Sequence, residues 1–312
     1  MGRILVCGNL NIDRILTVDY LPAEGQSTPV RSQRIEYGGC GGNIAAALAK
    51  LGTGVILSTV VGRDLDPDYE GRLKELGVDL SGMVVDEELP SPSCTVLTAP
   101  GGKQTYAFMM GAMEKQGSID IPVFEDVSFV HIATSDPDFT IRTAKHYAGM
   151  RIEVGMDPGQ EIYFRWERSK MTEVLKYCTR FFGNLDEWKH LLRICGWKGM
   201  ERKIAGMEVE VPSEPFDHLK EAVITMGERG SILITQGETL YQGPVETGPV
   251  IDPTGAGDAF RGGFYSALIR GLSSYDSLLY GNAMGALSLT GKGPQGYDTD
   301  WEALLKVIQS LR

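Results

Sequence analysis

Short apolar runs alternating with helical stretches are what most constrain how this chain can fold. Runs at 4–8, 55–60, 129–133, 152–156, 180–183, 222–226 and 231–235 are long enough for strands and apolar enough for burial on both faces. Helical spacing separates them, as in 44–52 and 258–268. Such alternation predicts an α/β fold, with a mainly parallel sheet and helices on both sides. At 312 residues, one large domain with a small appendage is expected. Two stretches break the pattern. Residues 14–36 alternate apolar positions around Pro22 and Pro29, and 93–110 read as a hairpin turning at Pro100-Gly101-Gly102-Lys103. A sheet built from these pieces cannot lie inside the main fold without breaking its order.

Charge and cysteine usage exclude several function classes. The net charge of −11 argues against DNA or RNA as a partner, while leaving room for a local positive site. No apolar run reaches the length of a membrane span, and the first residues enter a strand directly, so a cytoplasmic protein without a membrane partner is expected. The five cysteines are scattered without a C-x-x-C pair, which suggests neither a disulfide framework nor a zinc site.

Chemistry concentrates in Asp252-Pro253-Thr254-Gly255-Ala256-Gly257-Asp258. The glycines allow a sharp turn and leave phosphate an open approach. A helix follows directly, so the turn offers free amides at a helix N-terminus, an anion site. A carboxylate beside such a site repels phosphate unless it has a task. For Asp258 that task is accepting a proton from an attacking hydroxyl, or else capping the helix; the glycine-rich frame favours the base.

A second glycine cluster, Gly38-Gly39-Cys40-Gly41-Gly42-Asn43, runs into the 44–52 helix. The two segments, in this order, resemble the signatures of the ribokinase-like (PfkB) sugar and nucleoside kinases, and the resemblance covers essentially the whole chain. It implies a ribokinase-like three-layer fold with a small β-sheet lid. Residues 1–312 would then be a single kinase domain, with lid strands from 14–36 and 93–110. It further implies transfer of the γ-phosphate of ATP to an alcohol group, with Asp258 as general base and the amides of Gly255, Ala256 and Gly257 as anion hole. A lid excludes water that would otherwise accept the phosphate. In this family it is often a dimer contact, so a homodimer through the lid is an expectation too.

The same resemblance distributes the remaining site. Asn11 and Asp13 follow the first strand, where open α/β sheets bind ligands, and their groups suit hydroxyl recognition. They are similar to the family's substrate-binding Asn-x-Asp, which acts with Gly39 and Asn43. Asn184-Leu185-Asp186-Glu187 resembles the N-x-x-E element that organises Mg²⁺, water and phosphate, with Asn184 toward the nucleotide and Glu187 toward the metal. An ordinary helix cap at Asn184 is compatible with that role. Thr225, Gly227 and Gly230 are similar to the family's ATP-contacting T-x-G-x-x-G turn, although a plain hairpin turn fits as well. Asn282, on a small-residue helix at 281–289, and the Lys292-Gly293-Pro294-Gln295-Gly296 segment fall where the family encloses adenine. Some members also bind a monovalent cation such as K⁺ there.

For the acceptor, three features favour a nucleoside over a simple sugar. Gln160 ends a strand and offers a donor and an acceptor to a base edge. Tyr106, Phe108 and Met110 share one face of a lid strand and form a stacking surface, or else simply lid packing or a dimer interface. Arg261 stands where the family commonly has an apolar residue, within reach of phosphate or substrate. The segments 131–137, 157–160 and 252–261 together resemble the archaeal nucleoside kinases of the family. A sugar kinase of ribokinase or fructokinase type is the alternative. A non-catalytic metabolite sensor is a second alternative, against which the intact Asp258 and Gly255-Ala256-Gly257 argue. The charged stretch 188–215, with Trp188 and Trp197, reads as a helical surface element and a loop.

Overall fold

A computed structural model describes residues 2–213, 216 and 219–311. The chain opens with β1 (Arg3–Cys7), β2 (Asn11–Val18) and β3 (Val30–Gly38), then α1 (Cys40–Lys50) and β4 (Val55–Gly62). Next come α2 (Pro67–Glu75), β5 (Asp79–Asp86), β6 (Ser93–Ala99), β7 (Lys103–Met109), β8 (Val127–Ile132) and α3 (Pro137–Gly149). The middle holds β9 (Glu153–Met156), α4 (Arg168–Leu175), β10 (Arg180–Asn184), α5 (Leu185–Cys195), β11 (Gly199–Ile204) and β12 (Met207–Pro212). The last third holds β13 (Glu221–Thr225), β14 (Ser231–Thr235), β15 (Thr239–Gln242), α6 (Ala256–Leu268), α7 (Ser274–Ser288) and α8 (Trp301–Ser310).

Nine strands form one sheet in the order β15-β14-β13-β10-β9-β8-β1-β4-β5. Every neighbouring pair from β13 to β5 is parallel, and β14 and β15 add an antiparallel edge. Alternate side chains of each strand feed two cores, as the period of two requires. Leu5, Val130, Ile132 and Phe181 pack beneath α3, α4 and α5, whereas Ile4, Val6 and Phe182 meet Ile44 and Leu48 of α1 and Phe260 and Phe264 of α6. This is the ribokinase-like three-layer α/β arrangement. Helix starts are set locally: Asp66 and Asp136 each accept backbone N–H bonds ahead of a proline that opens the helix.

From β1 the chain winds one way to β4 and β5, then returns to the other side of β1 with β8, β9 and β10. The crevice outside the carboxyl ends of β1 and β8 is therefore a topological switch point, where open α/β sheets bind ligands. A separate four-stranded sheet, β3-β2-β6-β7, stands beside it. Asp13 pairs with Glu36 and with Cys94, and Cys94 pairs with Phe108, so these four side chains share one row and one face.

Three expectations need correction. Met110 does not continue the aromatic stripe. The strand ends at Met109, and Met110 packs against the cluster of Val60, Ala112 and Met113 as the chain turns at Gly111 (φ 52°). The described part of the 188–215 stretch, residues 188–213, is not a surface helix and loop, and 214–215 lie outside the described residues. Its Trp188 is wholly buried on α5 and donates to the Glu210 carbonyl at 2.8 Å, beneath the β11–β12 hairpin. The alternation Met207-Glu208-Val209-Glu210-Val211 carries that strand signal, with Val209 and Val211 buried. Finally, β5 and β15 extend the sheet beyond the runs read from sequence, because edge strands are half-exposed and lack a fully apolar run.

Candidate active site

Helix α6 begins at Gly255, which has φ 77°, and no side chain caps the helix. A Cβ at Gly255 would lie 2.5 Å from Pro294, so both the left-handed backbone and the contact require glycine. The Ala256 amide turns back toward the Pro253 carbonyl at 3.4 Å. The next two amides, of Gly257 and Asp258, fall in the first turn, where no intrahelical acceptor exists, and Gly257 is exposed. The turn thus presents donors to solvent at the positive end of a helix dipole.

Asp258 sits at this turn, with Asn43 Nδ2 donating to its Oδ2 at 2.8 Å. Burial pushes its carboxyl up to about 7, against the opposing pull of the Asn43 hydrogen bond and the Arg261 charge. Burial and the neighbouring Asp258 carboxylate also hold the Cys40 thiol well above its ordinary value. Arg261, one helical turn beyond Gly257, is 4% exposed. Its Nε donates to Asp157 Oδ2 at 2.9 Å and its Nη1 to the Gly257 carbonyl at 3.0 Å. It therefore lies beneath the Gly255-Ala256-Gly257 turn, held by Asp157 and the Gly257 carbonyl, where the sequence had set it within reach of phosphate or substrate.

From the turn after β1 into β2, Asn9, Asn11 and Asp13 form a hydrogen-bonded ladder: Asn9 donates to Asn11, and Asn11 to Asp13. Asn9 Oδ1 accepts the Cys40 amide at 2.9 Å, which ties this ladder to the start of α1. Gly39, at φ 92°, lies so close that a Cβ would come within 2.5 Å of the Asn9 carbonyl. Burial, reinforced by Glu36, raises the Asp13 carboxyl to about 6. Asn43 is itself buried and faces Asp258. Phe108 and Tyr106 are exposed on the Asp13 face of the small sheet, and Gln160 is exposed just after β9.

On the other side of the turn lies a cavity of about 400 Å³. Thr225, Gly227, Gly230 and Asn282 all line it, together with Ala256 and Gly257. The 226–230 segment is the turn of the β13–β14 hairpin, as the plain-turn reading of that motif expects, and the same turn faces the cavity. Asn282 donates to the carbonyls of Gln242 and Gly243, fixing the cavity wall. Asn184 caps α5, accepting from Asp186 and Glu187, while Glu187 Oε2 accepts the Asn184 amide at 2.8 Å. Glu187 is buried, and burial plus the Asp157 charge raise its carboxyl. Among the described residues no three acidic, His or Cys side chains gather into a metal cage. Glu187 and Asp157 nevertheless offer the hard oxygen donors that suit Mg²⁺, which needs only one or two carboxylates besides phosphate.

Sequence reasoning missed Tyr69, and it named Asp157 and Gln295 only within the 157–160 and 292–296 segments, without their contacts to Arg261 and Asn43. An unmatched Arg261 in an apolar frame was the signal for an acidic partner at a strand end. Tyr69 carried none.

The chain matches the pfkB family carbohydrate kinases over residues 1–301 and belongs to that family. A nucleoside kinase of Methanocaldococcus jannaschii is 29% identical over 313 aligned residues, covering 100% of this chain and 98% of the relative. The crystal structure of Methanocaldococcus jannaschii nucleoside kinase superposes with a TM-score of 0.89 at 28% identity, covering 99% of each chain. The Burkholderia thailandensis nucleoside kinase in complex with inosine superposes with a TM-score of 0.82 at 26% identity, covering 98% of each. The protein is thus a phosphotransferase with an alcohol acceptor, from a family whose kinases use ATP. Among the described residues no helix is long and apolar enough to cross a membrane.

Proposed function

We propose that this enzyme transfers the γ-phosphate of ATP to the primary 5′ hydroxyl of a nucleoside. The observation that carries the reading is Asp258, placed between the Asn11–Asp13 ladder and a nucleotide-sized cavity at an uncapped helix start. ATP lies in the cavity bounded by Thr225, Gly227, Gly230 and Asn282, with its terminal phosphate at the Gly255-Ala256-Gly257 turn. Asn11, Asp13 and Gly39 hold the sugar hydroxyls. Asp258 takes the proton from the attacking oxygen, and the turn's amides stabilise charge on the transferring group. Mg²⁺ bound near Glu187, with Asn184 alongside, supplies charge neutralisation for the phosphates. Arg261 fixes the turn from below through the Gly257 carbonyl.

The chain acts as one kinase domain, with the β3-β2-β6-β7 sheet as its lid. Phe108 and Tyr106 on the Asp13 face supply an apolar surface for a base, and Gln160 its polar edge. Two relatives named nucleoside kinase, one of them solved with inosine, support the nucleoside reading over a free sugar. On the opposite face of the lid, Val30 and Ile35 are exposed and suit contact with a second copy; sedimentation of a Val30→Asp, Ile35→Asp variant as monomer would bear this out.

The test is ADP release with ATP and Mg²⁺ against cytidine, inosine, guanosine, adenosine, ribose, fructose and fructose 6-phosphate. Turnover on nucleosides is expected. Turnover on sugars alone would keep the chemistry and discard the base-recognition reading. Turnover on none would favour the sensor.

The pH dependence follows from Asp258. With its carboxyl near 7, kcat/KM is expected to rise roughly tenfold per pH unit up to about pH 7 and then level. Initial rates across the pH range check this. A profile flat down to about pH 5 would mean that the group taking the proton ionises below about pH 5 in the working enzyme.

A further inference from the structure

One buried polar side chain meets Asp258 only through an intermediary, Asn43. Gln295 is 3% exposed and lies in the loop after α7, where Lys292 and Gly296 form a bridge. Its Nε2 donates to Asn43 Oδ1 at 2.9 Å and to the Tyr69 hydroxyl at 2.8 Å. Both protons of the amide are thereby used. Tyr69, receiving one of them, passes its own to the Gly38 carbonyl at 2.8 Å. Asn43 in turn donates one amide proton to Asp258 Oδ2 at 2.8 Å.

The direction of these bonds is the informative part. The two ends of an Asn amide are nearly the same shape, so Asn43 could face Asp258 with oxygen or with nitrogen. An oxygen there would repel the carboxylate. Gln295 presents only donors on the far side, and this draws Asn43 Oδ1 toward itself and leaves the NH₂ for Asp258. Asn43 thereby holds Oδ2 of the carboxylate in place, with the Cys40 thiol beside the same group. The same loop seats Pro294 against Gly255 and donates the Gly293 amide to Asp252 Oδ2 at 3.1 Å, so the phosphate turn and the base share one support.

We propose that Gln295 is a positioning residue for phosphoryl transfer, orienting Asn43 and through it the Asp258 carboxylate. The inference rests on Asp258 being the base. The groups facing Asp258 are the Cys40 thiol from α1, Tyr69 from α2, Asp157 after β9, Arg261 on its own helix and Tyr297 beyond the loop. Of these, Gln295→Met touches Tyr69 alone, whose hydroxyl loses the Nε2 donor and keeps its own bond to the Gly38 carbonyl. Met preserves length, and it also removes the Gln295 Oε1 atom, which has no partner among the described residues, so the fold loses no satisfied acceptor.

The experiment compares Gln295→Met, Gln295→Glu and Asp258→Asn with the parent, using ATP, Mg²⁺ and the best acceptor of the panel. Gln295→Met is expected to lose roughly 10–100-fold in kcat, the scale of a misplaced catalytic group, with KM for ATP within about twofold. The acid limb of its pH profile moves to higher pH, because the hydrogen bond favouring ionised Asp258 weakens. Gln295→Glu puts acceptors where donors stood, turns Asn43 round and loses more. A Gln295→Met enzyme with full kcat, or with lowered kcat and an unmoved limb, overturns the proposal. Where Gln295→Met fails to fold, Tyr69→Phe is the second variant. A smaller loss in kcat with the same shift of the limb supports the proposal, and no shift overturns it. Undiminished turnover in Asp258→Asn sinks the base assignment itself, a different failure.

Discussion

Asp258→Asn is expected to lower kcat by roughly 10²–10⁴-fold while leaving ATP affinity within a few-fold, the scale for removing a general base. Asn keeps the shape and can still accept from Asn43 Nδ2, so the anion turn and the Asn43 contact survive. What disappears is the ability to take a proton. The same substitution carries a second signature, in stability. The folded carboxyl sits near 7, above its ordinary value of 3.8, so the fold accommodates the protonated form better than the ionised one. That contribution is fully present below the unfolded value and is lost as pH rises through about 7. The neutral Asn variant escapes the loss. At pH 8 it should melt above the parent, and the gap should close as pH falls toward 4. An inactive variant that is also less stable at pH 8 would mean that Asp258 acts structurally, through charge. Single-turnover rates and thermal melts at two pH values decide between these.

The two glycine turns were legible in sequence because their constraint is local. Gly39 and Gly255 sit at positive φ, where few other residues are tolerated, and each marks the start of a helix within the next residue or two. The buried strands were legible for a similar reason: β4 is buried at every position, and a run that is apolar but for Ser58 and Thr59 reports that directly. The contacts that complete the site are of another kind. Gln295 meets Asn43 across 252 residues and Arg261 meets Asp157 across 104. No periodicity or turn chemistry encodes such a meeting; it exists only once α1, α6 and the loop after α7 converge at the switch point. Polar residues within a hydrophobic frame are the one trace such contacts leave. Arg261 left that trace, between Phe260 and Gly262, and Gln295, beside glycine and proline, did not.

Arg261→Met is expected to destabilise the fold by about 3–5 kcal/mol, because it leaves a buried carboxylate without its counter-charge. Asp157 is 7% exposed and its Oδ2 holds the Arg261 Nε at 2.9 Å, with the guanidinium packed over the Phe182 ring at 5.6 Å. Water does not replace the lost partner in that setting. The loss extends to activity through two separate routes. The Gly257 carbonyl loses the Nη1 donor that fixes the turn, and the Asp258 carboxyl loses a cation that favours its ionised form, so the acid limb should move to higher pH. A double-mutant cycle separates packing from charge. Asp157→Leu alone strands the cation and should cost a similar amount, whereas Arg261→Met combined with Asp157→Leu replaces the pair by apolar groups and should recover much of the stability. Activity should not recover with it, since neither the Gly257 contact nor the cation near Asp258 returns. Chemical denaturation of the four proteins supplies the energies. Additive losses in the double variant would mean that the two residues act independently, and the ion pair would then not be what holds the Gly255-Ala256-Gly257 turn in place.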